Sequence, residues 1–559
     1  MHYQFLPHCS VFIKKWRSIS ILKRVVALVV LSLFLSILTT FLAILAILKH
    51  NFTLSYWLFT GSQPVPEVLS LLSFRQIPVV EVWRETIWLG KNGNVLLNKS
   101  FSSDNFISKV LEQDLLPTFE HTERLLDAWN KAVIRKVFWS KQTATLNEFR
   151  DLLKLARVFY QEQQTGKKYL VIFQNADEIR ATGGFMGSYA VLDFKNSEFW
   201  RPTIRDIYDP SGISVITESP MGHARYLSDG RGMALHDANW FADFPVTAKK
   251  ILWFFEEIKQ DPQFYDGVIA INSQTVEKVL DKIGSIYLPS ESRWMSAKEF
   301  SQVVRQDRNE FFPGSQQKAQ QLQELETALW LKLEQLSEKE KTSLFSEVLS
   351  NQIWREVLVF SKNDQLQKTS EELEIAGEIA QVAPNDFFVY PLESNVGINK
   401  ANAKVKRDLM VESIDSLLRL KVLFTNQAKI ADRPLEQQEN KAYKVANHFG
   451  YVNYYRFIVP EDIEVLSVVV GDEVLQDWES QEIAVSGRVF TEIGFLVVVP
   501  EESQKQVMID FSAPDSWSGK ILVQKQPGLV YQTAIMGKIL PTIDLVGFSW
   551  SLPSREAVQ

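Results

Sequence analysis

Arginine and aspartate recur together at several points of this sequence. Arg180 sits in a turn. Arg205 and Asp206 end a strand-like run in T-I-R-D-I-Y-D, with Asp209 just after. Asp237 and Asp243 lie in L-H-D-A-N-W-F-A-D-F-P, ahead of a helix. Arg305 and Arg308 lie in V-V-R-Q-D-R-N. A guanidinium is a fork of donors matched to phosphate oxygens, and clustered carboxylates hold Mg²⁺. The set could therefore grip a pyrophosphate and a metal. Arg180, Arg205, Arg305 and Arg308 are the candidate ligand-binding residues, Asp206 and Asp209 the candidate metal ligands, and Asp206 and Asp243 the candidate catalytic groups. The same charges could instead form an ion-pair network on a solvated rim.

The turn that carries Arg180 reads N-A-D-E-I-R-A-T-G-G-F-M-G-S-Y over 175–189 and follows the buried-looking run Tyr169–Gln174. Gly183 and Gly184 allow a reversal at positive φ that feeds a second, paired strand, with Gly187 just inside it. Asn175 and Thr182 can bond backbone groups that the turn frees. Asp177, Glu178 and Arg180 are then expected on the rim above a sheet.

Alternating and helical periodicities place the rest. Strand-like runs occur at Tyr169–Phe173, Phe185–Phe194, Phe199–Ile207 and Tyr265–Asn272, and helical runs at Val246–Ile258 and Ser273–Ile283. That rhythm predicts a mixed α/β layer. Before it, apolar spacings of three and four from Ser103 to Gln164 predict a helical pair near a membrane. After it, Ser296–Gln381 reads as charged helix, and short runs from Arg407 to Phe511 read as a β-sandwich. The expected fold class is α+β multidomain: a tail (1–24), a transmembrane helix (25–48), a linker and helical stalk (49–166), an α/β core (167–310), a helical segment (311–385), a β-sandwich-like domain (386–530) and a tail (531–559).

The membrane expectation rests on Val25–Leu48, an uncharged run of 24 residues. That suffices to cross about 30 Å of hydrocarbon as a helix. Lys14, Lys15, Arg17, Lys23 and Arg24 precede it and Lys49 follows, which puts the N-terminus in the cytoplasm and the bulk outside. A buried soluble helix and a cleaved signal peptide are the competing readings. With 60 Lys and Arg against 67 Asp and Glu, net charge -7, nucleic acid is not an expected partner. The single cysteine, Cys9, precedes the apolar run, so disulfides cannot staple the outer portion. No P-loop, nucleophile-elbow, H-E-x-x-H or EF-hand pattern is present. The scattered histidines, His223 and His236 among them, read as satisfied core or surface residues.

The stretch Q-N-A-D-E-I-R-A-T-G-G-F-M-G-S-Y resembles the signature of the bacterial membrane-protein family called domain of unknown function 4012. D-A-N-W-F-A-D-F-P, Y-D-G-V-I-A-I-N, S-N-V-G-I-N-K (394–400) and Q-K-Q-P-G (524–528) resemble its further markers in order, with Ile398 where that family has a second glycine. A weaker similarity runs to the LytR–CpsA–Psr transferases in the order strand, Arg-Asp, Asn-rich loop, D-G-V strand, helix. That resemblance implies a polyprenyl-pyrophosphate carrier and Mg²⁺, with Arg205, Asp206, Arg305 and Arg308 on the matching positions.

Two functions follow as expectations. One is a membrane-anchored extracytoplasmic scaffold or binding protein of the cell envelope, possible partners being the membrane lipid and a cell-wall or lipid-linked glycan. The other is a transferase acting on polyprenyl-pyrophosphate-linked glycan. The helical and β portions outweigh the α/β part, and no complete catalytic set is visible, which favours the first.

Overall fold

The computed structural model describes residues 85, 88, 116–131, 147, 150, 151, 153–159, 161, 162, 165–195, 202–208, 216–258, 264–289, 292–300, 317–337, 340, 343, 344, 356–383, 386–414, 417–429, 450–512, 520–531, 533–536 and 542–546. The chain divides into two compact units, Met1–Tyr160 with Leu336–Ser346 and Gln161–Gln335 with Glu347–Gln559. In the first, helix α1 spans Leu116–Lys131. The expected span at 25–48 lies outside the described residues. Among the described residues, no helix is long and apolar enough to cross a membrane.

The second unit mixes helices and sheets. Strands β1 (Lys168–Asn175), β2 (Phe185–Asp193), β3 (Arg205–Asp206), β4 (Gly267–Asn272) and β7 (Val357–Ser361) form one sheet in the order β3-β2-β1-β4-β7. Only β1 and β4 run parallel; β2 and β7 are antiparallel to their neighbours. The tight turn forces β1 and β2 antiparallel, whereas the long connection to β4 permits a parallel return.

One face of this sheet packs Leu170, Ile172, Val268, Ala270 and Leu358 against Ala248, Ile251 and Phe255 of helix α3 (Phe244–Ile258). Short helix α2 (His223–Tyr226) and a 3₁₀ turn at Leu235–Trp240 precede α3. The other face carries α4 (Ser273–Ile283), begun by the Asn272 side chain accepting from Thr275 N–H and ended at Gly284. Helix α5 (Gln317–Gln335) packs beside α4 and the short strand β5 (Ile286–Leu288), which pairs with β6 (Arg293–Met295).

The stretch read as helical over 311–385 also holds a strand. Val357–Ser361 is β7, buried at the sheet edge, and helix α6 (Asp364–Glu372) follows with its Asn363 cap. Only the distant partner β4 makes a strand of those five residues.

Among the described residues, the unit holds two further large sheets. One runs β13-β12-β16-β10-β9-β18 and the other β14-β15-β11-β8-β17-β19, in both cases mostly antiparallel. Their ranges are β8 Phe387–Asn395, β9 Val405–Ile414, β10 Leu417–Asn426, β11 Tyr451–Pro460, β12 Val465–Val470, β13 Glu473–Val474, β14 Glu479–Val485, β15 Arg488–Val499, β16 Ser503–Ser512, β17 Lys520–Gln524, β18 Thr533–Met536 and β19 Thr542–Val546. Phe387, Leu420, Phe424, Tyr455, Phe457 and Phe511 from both sheets bury one common core. Strand β8 does not alternate because both its faces are covered. Phe387 and Val389 enter that core, while Phe388, Tyr390 and Leu392 enter a second.

Candidate functional site

The β1–β2 turn is gathered under bonds from distant segments. Asn175 Oδ1 accepts from Asp177 N–H at 3.1 Å, and Gln174 Nε2 donates to Thr182 Oγ1 at 2.7 Å. Asn239 Nδ2 donates to the Gly184 carbonyl at 2.6 Å, and Asn402 Nδ2 to that of Ala176 at 2.5 Å. Gln526 Nε2 donates to the Arg180 carbonyl at 2.8 Å. Arg180 reaches back with Nη1 to the Asn395 carbonyl at 2.7 Å and Nη2 to Glu178 Oε1 at 2.8 Å. The segments that resemble family markers thus meet in space around one turn.

That meeting corrects an expectation. Asp177, Glu178 and Arg180 are not on an open rim but buried, Arg180 to 1% exposure. The segments around Asn395, Asn402 and Gln526 cover them. Burial pushes the Glu178 carboxyl above its usual range, with Arg180 opposing.

Beside the turn, at the carboxyl ends of β1 and β4, opens a cavity of ≈ 690 Å³. A sheet's strand ends are where ligands settle in open α/β layers. Its floor follows the register: Ile271, Phe173 and Ser188 lie side by side on β4, β1 and β2, and Asn175 and Phe185 form the next row. A bulge sets this floor. Gly187 is the extra residue of β2, so Ser188 and Phe185 share the cavity face while Met186 and Tyr189 share the core face. Val276, Phe300 and Leu322 close the apolar side. Arg180, Glu178, His236, Asp237, Arg231 and Lys400 form the charged side.

Under the charged side runs a row of polar groups. Ser219 Oγ and His223 Nδ1 are 3.0 Å apart, and His223 Nε2 stands 3.6 Å from Asp237 Oδ2. His236 Nε2 is 3.3 Å from the same oxygen. Burial would raise the Asp237 carboxyl, but the approach of His223 and the charges of His236 and Arg180 outweigh it and hold it below its usual range. Burial holds the His236 imidazole below its usual range. Ser219 is not among the cavity-lining residues.

The predicted residues part company here. Arg180 and Gly187 are in the cavity wall. Gly183 and Gly184 shape the turn beside it, at φ 122° and 145°. Arg205 is exposed and outside the wall; its cross-strand partner is Tyr189, on the α3 face. Asp206 is buried opposite Ser188, where its Oδ1 accepts from Tyr208 N–H at 3.0 Å. Asp243 caps α3, accepting from Val246 N–H at 3.1 Å and from Ile379 N–H at 3.2 Å. Asp209, Arg305 and Arg308 lie outside the described residues. Among the described residues, no group of three His, Cys, Asp or Glu side chains could hold a metal ion.

Comparison with known proteins adds one fact. A family model described as "Protein of unknown function (DUF4012)" matches residues 164–308. The chain carries a DUF4012 domain. No curated protein matches the chain. The DUF4012 domain supplies the floor, the turn and the His236–Asp237 wall of the cavity. Leu322, Ile398 and Lys400, from beyond the matched residues, complete the wall.

Sequence reasoning missed Ser188, Ser228, Asn272 and Lys400. Ser188, Asn272 and Lys400 lie inside the quoted family-like stretches without being singled out, and Ser228 lies in none of them.

Proposed function

We propose that this protein is a membrane-anchored, extracytoplasmic binding protein of the cell envelope, and that its ligand occupies the cavity at the β1 and β4 ends. The cavity carries the reading. One side is apolar, the other is charged, and the backbone around it is over-determined by side-chain bonds. Such a wall suits a ligand with a hydrocarbon part and a polar head. The anchor is the uncharged run 25–48, long enough to cross a bilayer as a helix.

The experiment is a cavity block that spares the fold. Gly187 lines the cavity at an ordinary φ, and a Cβ there would meet nothing within 4 Å. Gly187→Leu should fold and fill the space. The full chain in nanodiscs should bind an anilinonaphthalene sulfonate dye saturably, and the variant should not. Equal binding by both would remove the cavity from the reading. Protease added to intact cells should digest the bulk of the chain; protection would remove the extracytoplasmic placement.

The second reading, a LytR–CpsA–Psr-like transferase on polyprenyl-pyrophosphate-linked glycan, draws on the same cavity through the buried Arg180. It also requires the strand-end Arg205, which is outside the wall. A binding role is therefore the better supported of the two.

A further inference from the structure

We infer that the cavity holds the oxyanion head of an amphiphile, a phosphate or a carboxylate, against Arg180, Ser188 and Ser228. This rests on the ligand-binding reading above and names the chemistry of its polar end. Among the described residues, three polar atoms of the cavity lining have no hydrogen-bond partner: Arg180 Nε, Ser188 Oγ and Ser228 Oγ. Their residues are buried to 1%, 0% and 8% exposure. Buried hydroxyl and guanidinium groups ordinarily find partners, so three orphans among the residues of one cavity's lining point to a ligand there that supplies acceptors.

All three can donate. A hydroxyl rotates its proton to an acceptor, and Arg180 Nε–H has no other role, since Nη1 and Nη2 are already bonded. The complementary ligand is rich in acceptors. The bulge at Gly187 reinforces this: in a regular strand Ser188 would share the Met186 face, inside the apolar core. The bulge puts Ser188 on the cavity side of the sheet and keeps its hydroxyl out of that core.

Two further features have the same sign. The N-terminus of α4 reaches the wall through Asn272 and Ser273, and its first-turn N–H groups carry partial positive charge. Formal charges on the wall are Arg180, Arg231 and Lys400 against Glu178 and Asp237. Glu178 is engaged by Arg180, and Asp237 faces two histidines. The remaining wall, with Phe173, Ile271, Val276, Phe300 and Leu322, suits an alkyl chain and not a free ion.

The test is calorimetric titration of the full chain in nanodiscs with dodecyl phosphate, dodecanoate, dodecanol and inorganic phosphate. The wild type should bind the two anionic amphiphiles tightly and dodecanol weakly. The Ser188→Ala/Ser228→Ala variant loses no internal bond, so its melting temperature should hold, and its affinity for dodecyl phosphate should fall by about tenfold or more. Inorganic phosphate binding as tightly as dodecyl phosphate would overturn the amphiphile and leave a free-anion site. Dodecanol matching dodecyl phosphate, or an unchanged affinity in the variant, would overturn the oxyanion head alone and leave the cavity as a ligand site. Failure of every amphiphile and of the dye would overturn both.

Discussion

Gln526 and Arg180 are separated by 346 positions in sequence, yet Gln526 Nε2 donates to the Arg180 carbonyl at 2.8 Å. The same amide also spans Glu393, donating to its carbonyl at 2.9 Å and accepting from its N–H at 2.6 Å. Gln526 is fully buried. Gln526→Leu removes these three bonds: the Glu393 N–H and carbonyl lose theirs, while the Arg180 carbonyl keeps the Gly183 N–H at 3.0 Å. It should lower unfolding stability by roughly 2–4 kcal/mol, read as a reduced urea midpoint.

The turn itself makes a sharper prediction. Gly184 has φ 145°, and a Cβ there would stand 2.3 Å from the Asn175 carbonyl carbon and oxygen. Those are backbone atoms of a buried strand and cannot yield. Gly184→Ala should cost about 3 kcal/mol or more, while Gly187→Ala should stay within about 0.5 kcal/mol, by thermal melting of the two side by side.

Ile398 occupies φ 51°, a left-handed conformation that a β-branched side chain enters only under strain. Its side chain is 65% exposed, so little packing is lost on removing it. Ile398→Gly should raise stability by about 0.5–1 kcal/mol, seen as a higher melting temperature. A lower one would show that the rim contact of this side chain outweighs the strain.

Glu378 supplies a pH dependence. Burial, Glu371 and Asp243 together raise its carboxyl to about 7. The folded state then binds this proton more tightly than the unfolded chain does, where the value is 4.5. The stabilising contribution is complete below 4.5 and is lost as pH rises towards about 7. Glu378→Gln keeps an acceptor for Gln367 Nε2 and cannot ionise. It should match the wild type at pH 4 and be more stable by about 1–2 kcal/mol at pH 8, from urea melts across that range.

The local elements were legible and the long-range ones were not. The helical spacing of Ser273–Ile283 is the helix observed, and Val246–Ile258 differs from the observed helix only at its start. A helix carries its own stripe, so its pattern survives without knowledge of neighbours. Strand β8 reads F-F-V-Y-P-L-E-S-N, without alternation and with a proline. Its burial on two sides comes from segments far away in the chain. Pro391 is tolerated because β17 pairs only Phe387–Val389, short of it.

At the site, the turn and Arg180 were visible because glycine and charge are unusual in a buried run. Ser188 was not, since its face depends on a one-residue bulge that leaves no mark in composition. Arg205 shows the converse. The Arg-Asp pair is where the sequence suggested, but one residue of strand parity sends Arg205 to the α3 face and Asp206 behind the wall.

Lys400 and Ile398 stand on the cavity wall, yet the DUF4012 match ends at residue 308. Recombination that joined this domain to a foreign C-terminal half would inherit a pocket with one side missing and a buried turn without its glutamine. Substitutions near 180, 395 and 526 are therefore expected to be accepted in concert across descendants, and the two halves to travel through evolution as a single heritable unit.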